Sequence, residues 1–378
     1  MIYLDNAATT RICDEALVAF EKFYKEEYFN PSAIYGGAIA VHREVEKARG
    51  VIAACLKVLP ENVFFTASGS EGDNLAIFGS VGSLKSSGRI ICSACEHPAV
   101  YNAISALKNR GYDVEFVPCN HDGTVNVEQY EKAISDGEVT FASIMHVNNE
   151  TGGINDIAKL AEMLKAKNPD AVFHSDGVQA FMKKPIALKN TKIDLYSFSA
   201  HKINGPKGVG AIYAKNPNKL TPLIYGGGQE SGIRSGTENT AGIIAFAIAC
   251  EKWRKNGKNY LESFKKFREI LLSELANVPD ITYNTDVNTC SPHIVSLNLG
   301  GVKGEVLLHM LEEKGIYMGR GSACSTKNAL PRALRALDVK GEGTIRVSFG
   351  IYNTEDEIKF FAKELKRAIN DLRNIMKG

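Results

Sequence analysis

The sequence predicts an α/β protein with a large domain, built on a mostly parallel β-sheet, and a smaller α+β domain. Apolar segments of strand length alternate with amphipathic segments of helical period over most of the chain, which is typical of βαβ units. The chain has 378 residues, and a single hydrophobic core is usually too small for a chain of that length. Separate strand and helix patterns after residue 275 therefore indicate the second domain.

The predicted strands are short runs rich in β-branched and aromatic residues, and the predicted helices have apolar residues at helical spacing. Ligands of parallel sheets bind beyond the carboxyl ends of the strands, so residues that follow strands are the candidates for a site. The predicted strands are 63–66, 89–92, 114–117, 140–144, 171–174, 195–198 and 209–213. The predicted helices between them are 71–84, 98–110, 127–135 and 156–167.

The C-terminal part has a different order of elements. A long helix over 241–275 precedes strand-like segments at 293–299 and 344–349 and helices at 304–313 and 355–375. We therefore divide the chain into a large α/β domain over 15–255 and a small α+β domain formed by 1–14 and 256–378.

Composition argues against several classes of function. A net charge of +2 gives no reason to expect nucleic acid or an anionic membrane as a direct partner. The longest apolar run, 241–250, is far shorter than the ~18 residues of a membrane span, and the N-terminus lacks the regions of a signal peptide. Eight scattered cysteines fit reduced thiols, and one CxxC pair, Cys92 and Cys95, is weak support for zinc. We predict a cytoplasmic protein without a metal site.

Lys202 lies where a predicted strand runs into a glycine-rich turn. A lysine there can be partly desolvated and become a nucleophilic amine, although most lysines in loops are ordinary surface residues. Asp176 lies at the end of the preceding strand-like segment and offers a carboxylate. A lysine for the aldehyde and a carboxylate for the ring nitrogen are what pyridoxal phosphate requires of a protein.

Two further junctions between strands and helices carry polar residues. Gly69 and Ser70 precede a predicted helix, where backbone N–H groups and a hydroxyl can bind a phosphate or where Ser70 simply caps the helix. His97 precedes the next predicted helix, where an imidazole can stack on a ring and move protons or have no catalytic role.

Asn149 follows a strand and carries an amide suited to a ring hydroxyl and a substrate carboxylate, and Gln179, three residues after Asp176, can likewise reach the ring hydroxyl. Arg346 lies on a strand-like segment and can bind a carboxylate bidentately, or it forms an ordinary surface ion pair. Cys324 lies in a loop rich in glycine and serine, where an exposed thiol is a candidate nucleophile.

In this order the motifs resemble one family, the cysteine desulfurases of the NifS/IscS type. These belong to the class V aminotransferase group, pyridoxal 5′-phosphate enzymes with the fold type I (aspartate aminotransferase-like) architecture. The motif pair of SFSAHK and GSAC is highly specific, because the lysine motif indicates the superfamily and the cysteine indicates desulfuration. The matching motifs are YLDNAATT at 3–10, NPS at 30–32, HVNNE at 146–150, SFSAHK at 197–202, RSGT at 234–237 and GSAC at 321–324, followed by Arg346.

The resemblance implies a role for each candidate. Lys202 forms the Schiff base with the cofactor, Asp176 pairs with its ring nitrogen, and His97 stacks on the ring and acts as acid or base. Asn149 and Gln179 contact the ring hydroxyl, and Arg346, with Asn149, binds the substrate carboxylate. The phosphate is held by Gly69, Ser70, Ser199 and His201, and by Thr237 of a neighbouring subunit in a homodimer with composite sites.

The resemblance also implies that L-cysteine is converted to L-alanine while the Cys324 thiolate takes the sulfur as a persulfide. The sulfur then passes to an acceptor protein, either an iron–sulfur scaffold, with which Cys324 would transiently share a cluster, or an enzyme of tRNA or cofactor thiolation. The alternatives are a selenocysteine lyase, a class V transaminase, which would not need Cys324, and a non-catalytic relative that binds a partner. The last is disfavoured because the cofactor residues are present.

The sequence departs from the family pattern at several positions. Gly69-Ser70 stands where Ala-Thr is common, Gly72 replaces a larger residue, and Ala200 stands where glycine is usual. We expect phosphate binding to survive because a hydroxyl is kept. Gly319-Arg320 precedes the GSAC motif where Ser or Thr is usual, which predicts altered loop motion, thiolate formation or acceptor contacts.

Overall fold

The computed structural model describes residues 1–82, 88–320, 332–337, 339 and 342–375. Cys324 and the rest of the GSAC motif lie outside these residues. The element order begins β1 (Ile2–Leu4), α1 (Asp14–Lys25), α2 (Gly36–Leu56), β2 (Val63–Thr66), α3 (Gly69–Val81), β3 (Arg89–Ser93), α4 (Pro98–Asn109), β4 (Val114–Val117), α5 (Val127–Ser135), β5 (Val139–Ser143), α6 (Ile157–Lys167), β6 (Val172–Asp176), β7 (Leu195–Ser199) and β8 (Gly210–Ala214). It continues with α7 (Thr240–Leu275), β9 (Ile281–Tyr283), β10 (Ile294–Leu299), α8 (Gly304–Glu312), β11 (Ile316–Met318), α9 (Arg332–Ala336), β12 (Thr344–Ser348) and α10 (Glu355–Ile375).

The largest sheet has seven strands in the order β2-β8-β7-β6-β5-β3-β4. All pairs from β7 to β4 are parallel, and β8 is antiparallel to both of its neighbours. The predicted α/β class with a mostly parallel sheet is therefore confirmed. Strands β5, β7 and β8 are buried along their whole length, because helices cover both faces of such a sheet.

The C-terminal strands form separate, smaller sheets. Strands β9, β10 and β12 make an antiparallel three-stranded sheet, and β1 pairs in parallel with β11. The N-terminal strand thus joins a strand more than three hundred residues later in the chain. Helix α7 continues through residue 255 without a break, and the division of domains at residues 14 and 255 stays a prediction.

Helices α1 and α2 were not predicted. In α1 the apolar residues Ala16, Ala19, Phe20 and Phe23 do follow helical spacing, whereas three glycines, Gly36, Gly37 and Gly50, lower the intrinsic helix propensity of α2. Both helices pack on α7, so tertiary contacts decide their conformation. Among the helices of the described residues, none combines the length and apolarity that crossing a membrane requires.

Candidate active site

A cavity of about 290 Å³ lies at the carboxyl ends of β6 and β7, next to the first turn of α3. Apart from Thr237, every predicted site residue that the structure describes lines it. These residues are Gly69, Ser70, His97, Asn149, Asp176, Gln179, Ser199, His201, Lys202 and Arg346. Ligand sites of parallel sheets lie beyond the carboxyl ends of the strands. Residues chosen from the sequence by that criterion therefore do line one cavity.

Lys202 lies on a single 3₁₀ turn, Ala200–Lys202, directly after β7. Its Nζ donates to the backbone carbonyls of Ala7 (2.5 Å) and Ala8 (2.6 Å). Burial, reinforced by the positive charge of Arg346, lowers the pKa of Lys202 to about 8. A substantial fraction of this amine is therefore neutral near pH 8 and able to act as a nucleophile.

Asp176 ends β6 and is 5% exposed. Its Oδ1 accepts a hydrogen bond from the backbone N–H of Val178 at 2.8 Å. Burial raises the pKa of Asp176 to about 6, even though that hydrogen bond and the charge of Lys202 favour the ionised form. A cationic group placed against this carboxylate would stabilise its ionised form.

His97 is the residue before α4, and its Nδ1 accepts a hydrogen bond from the backbone N–H of Ala99 at 3.2 Å. It therefore both caps the helix and lines the cavity. Because Nδ1 accepts, the proton of the neutral ring lies on Nε2.

Two amide side chains in the cavity have oxygens without a hydrogen-bond partner among the described residues. Gln179 donates to the carbonyl of Ala7 at 2.8 Å, but its Oε1 has no partner. Asn149 donates to Glu150 Oε1 at 2.8 Å, and its Oδ1 likewise has none. A buried polar atom without a partner costs about 1–3 kcal/mol, so both oxygens are suited to accept a hydrogen bond from a ligand.

The residue that caps α3 is Ser68, and the sequence interpretation that Ser70 caps it is wrong. Ser68 has extended backbone angles, and its hydroxyl accepts from the N–H of Glu71 at 3.1 Å. Ser70 lies inside the first turn and is exposed. Both serines line the cavity, so the first turn of α3 still offers backbone N–H groups and hydroxyls to an anion.

Ser199 and His201 also line the cavity. The hydroxyl of Ser199 lies 3.5 Å from the carbonyl of Val209, and His201 Nδ1 lies 3.1 Å from Thr9 Oγ1. Burial and the charge of Lys202 lower the pKa of His201 to about 3. His201 is therefore neutral and can donate or accept a hydrogen bond without carrying charge.

Gly69 explains one departure from the family pattern. A Cβ on this residue would lie 2.5 Å from Cγ2 of Val178, the residue whose N–H binds Asp176. The space that a methyl group would need at position 69 is thus filled by a neighbouring branched side chain.

We expect Gly69→Ala to lower the free energy of unfolding by about 1–3 kcal/mol, because the methyl group overpacks against Val178. Urea titration of the variant measures this loss, and the double variant with Val178→Ala should recover most of it. Gly50→Ala is the matched control, since nothing lies within 4 Å of a Cβ there. Equal stability of the Gly69 and Gly50 variants would contradict this account.

Arg346 is 3% exposed, which excludes the interpretation as an ordinary surface ion pair. Its Nη2 binds Asp5 Oδ1 at 2.9 Å, and its Nη1 donates to the carbonyl of Asn149 at 2.9 Å and lies 3.4 Å from Glu150 Oε1. Its Nε has no hydrogen-bond partner among the described residues. The sequence gives no local signal that Asp5, a residue of the YLDNAATT motif, is the partner of Arg346.

Gly319 lies against the ion pair of Asp5 and Arg346. A Cβ there would lie 2.8 Å from Asp5 Oδ1 and 3.1 Å from Arg346 Nη2. Next to it, Arg320 forms an ion pair with Glu305 at 3.0 Å. The lack of a side chain at Gly319 therefore leaves room for the ion pair of Asp5 and Arg346, and the charge of Arg320 is paired with Glu305. Cys324 itself lies beyond the described residues.

Thr237 lies apart from the other site residues. It lines a separate cavity of about 100 Å³ together with Arg234 and Glu238. Within one chain, therefore, the structure does not bring Thr237 to the cavity of Lys202.

Comparison with known proteins places the chain in a family. The sequence model of "Aminotransferase class-V" matches residues 2–361. The "Cysteine desulfurase IscS" of Clostridium botulinum (strain Hall) is 37% identical over 382 residues, which cover 99% of this chain and 96% of that protein. A solved "NIFS-LIKE PROTEIN" superposes with a TM-score of 0.92 and 34% identity over 98% of this chain and 99% of the other. A second structure, "SspA in complex with cysteine", has a TM-score of 0.81 and 29% identity over 94% and 100% of the two chains. The fold and the family expected from the motifs are confirmed, and this chain belongs to the aminotransferase class-V family.

Proposed function

We propose that this protein is a pyridoxal phosphate-dependent cysteine desulfurase. The observation that carries the proposal is the cavity itself. It is lined by a lysine of lowered pKa, a buried carboxylate and two amide oxygens that have no hydrogen-bond partner within the described part of the chain. The similarity to proteins named cysteine desulfurases over almost the whole chain supports the same reaction.

The residues of the cavity fit the cofactor. Asn149 Oδ1 and Gln179 Oε1 can accept a hydrogen bond from a ring hydroxyl, which removes the cost of leaving them unpaired. Asp176 can pair with a ring nitrogen, and the first turn of α3 with Ser199 and His201 can hold a phosphate. When bound, pyridoxal phosphate supplies an aldehyde for an amine and a ring that accepts electrons from the substrate.

Lys202 has two tasks in this proposal. Its amine would hold the cofactor covalently, and the same amine could move the proton of the substrate Cα. The carbonyls of Ala7 and Ala8 orient Nζ, and a pKa of about 8 lets the amine both accept and return a proton. His97, with its proton on Nε2, can serve as a second acid or base at the wall of the cavity.

Arg346 is suited to the substrate carboxylate. The guanidinium is already oriented by Asp5, Asn149 and Glu150, and Nε, which has no partner among the residues the structure describes, can donate to a ligand. A carboxylate bound through Nε and Nη2 would take the place of Asp5 on Nη2. Asn149, which also lines the cavity, would complete the binding of the carboxylate.

The Cys324 thiolate takes the substrate sulfur as a persulfide in this proposal, and the remainder of the substrate leaves as alanine. "SspA in complex with cysteine" is a relative with that amino acid bound, which supports L-cysteine as the substrate here. The acceptor of the sulfur would be an iron–sulfur scaffold or a thiolation enzyme. A cytoplasmic location stays a prediction.

Product identity tests the function, because a desulfurase forms alanine with sulfide whereas a transaminase transfers the amino group to an oxo acid.

A homodimer with composite sites would explain the position of Thr237, which lies apart from the cavity of its own chain. If Thr237 reaches the phosphate of the partner subunit, Lys202→Ala and Thr237→Ala subunits should complement each other. Mixed dimers would then contain one cavity that has both residues, and we expect them to recover up to about half of the activity per dimer, measured as sulfide release. Activity of the mixture that never exceeds that of the separate variants would refute the composite site.

A further inference from the structure

Asp73 is a buried carboxyl group to which the proposed reaction assigns no role. It lies in the second turn of α3, is 1% exposed and lines the same cavity as Asp176. The sequence offers no sign of this burial, because an aspartate near a helix N-terminus is usually solvated.

The groups that face Asp73 are polar or acidic. Its Oδ1 lies 3.6 Å from His174 Nε2 on β6, and Ser197 on β7 forms a hydrogen bond with its side chain. The negative charges of Asp176 on β6 and of Glu96 before α4 also lie close enough to raise the pKa of Asp73. Among the described residues, no lysine or arginine forms an ion pair with Asp73.

The imidazole of His174 is held between two hydroxyls. Its Nδ1 lies 2.8 Å from Ser143 Oγ and its Nε2 lies 3.0 Å from Ser197 Oγ. Burial lowers the pKa of His174 to about 3, so this ring is neutral and does not compensate a negative charge on Asp73. A buried, uncompensated carboxylate is strongly disfavoured.

We propose that Asp73 is a positioning residue that stays a neutral carboxylic acid in the folded protein, so that Asp176 is the carboxylate that ionises at this end of the cavity. Two adjacent buried carboxyls do not both ionise readily, and burial with the nearby charge of Asp176 raises the pKa of Asp73 well above its ordinary value. As an acid, Asp73 keeps its proton, donates a hydrogen bond to Ser197 in the Ser197–His174 network, and leaves the negative charge on Asp176. That the charge kept on Asp176 serves to pair with the ring nitrogen of a cofactor rests on the proposed function. The protonation state of Asp73 does not depend on that function.

Infrared spectroscopy of the full chain, with ¹³C in the aspartate carboxyls, tests this directly. At about pH 8, above the pKa of about 6 for Asp176, we expect one isotope-shifted C=O band of a protonated carboxyl to persist. Glu96 carries no label and does not contribute. The band should vanish in Asp73→Asn and remain in the control Asp170→Asn, which changes an exposed aspartate.

Thermal unfolding gives a second readout. A group whose pKa is raised by folding makes the protein less stable as the pH rises, because the unfolded chain loses that proton first. The Tm of the unmodified chain should therefore fall relative to that of Asp73→Asn between about pH 5 and about pH 8. If Asp73 had only a structural role, the Asp73→Asn substitution would change Tm by the same amount at every pH.

The proposal is overturned if no protonated aspartate band is present at about pH 8 in the unmodified chain, a result that does not depend on whether the variant folds. A Tm difference between the two proteins that is constant with pH would also overturn it. Neither measurement uses turnover, so failure of the desulfurase proposal would leave both results interpretable.

Discussion

Replacing Lys202 by alanine is expected to abolish covalent attachment of pyridoxal phosphate and to reduce sulfide release from L-cysteine by about 10³-fold or more. The loss is large because this one amine both holds the cofactor and moves the substrate proton, and no other lysine lines the cavity among the described residues. Borohydride reduction followed by peptide mass spectrometry measures the attachment, and the unmodified chain should carry the cofactor on Lys202.

The matched control is Lys207→Ala. Lys207 lies in the same glycine-rich turn but is exposed, so its loss should leave attachment and turnover nearly unchanged. Cofactor fixed by borohydride to a different lysine in the Lys202 variant would show that the assignment of this residue is wrong.

Replacing Cys324 by serine is expected to separate cofactor binding from sulfur transfer. The variant should keep the yellow absorbance of the bound cofactor, because the cavity around Lys202 and Asp176 does not change. It should lose sulfide release by about 10³-fold or more, since a serine hydroxyl cannot replace a thiolate as the nucleophile toward sulfur. Absorbance and a sulfide assay on the same sample test both expectations.

Cys55→Ser serves as the control for this variant. Cys55 is a half-buried thiol on α2, and its conversion should not affect sulfide release. Turnover with cysteine and a reductant that persists in Cys324→Ser would remove the central role of this thiol and favour another reaction of the same family.

The sequence predicted the cavity because its main residues follow strands. Asp176 ends a strand, Lys202 lies on the turn after the next strand, and His97 immediately precedes a helix. The carboxyl ends of parallel strands meet at one edge of the sheet. Local pattern and sheet topology therefore suffice to bring these three together. The same reasoning placed Asn149 and Gln179 correctly in the cavity.

The remaining features depend on contacts between distant parts of the chain. The carbonyls of Ala7 and Ala8 reach Lys202, and Asp5 reaches Arg346, because β1 pairs with β11 and Asp5 bridges to Ser348. No local periodicity reports such a pairing. The helix cap was misassigned because Ser68 and Ser70 carry the same hydroxyl, and only the backbone angles of Ser68 distinguish them.

Anaerobic incubation of the purified protein with L-cysteine and dithiothreitol, with sulfide and alanine quantified together, tests the central claim most directly. Our account predicts equimolar sulfide and alanine, with both lost in Cys324→Ser and in Lys202→Ala. Pyruvate in place of alanine, or no sulfide from a protein that is fully loaded with cofactor, would contradict the assignment as a cysteine desulfurase.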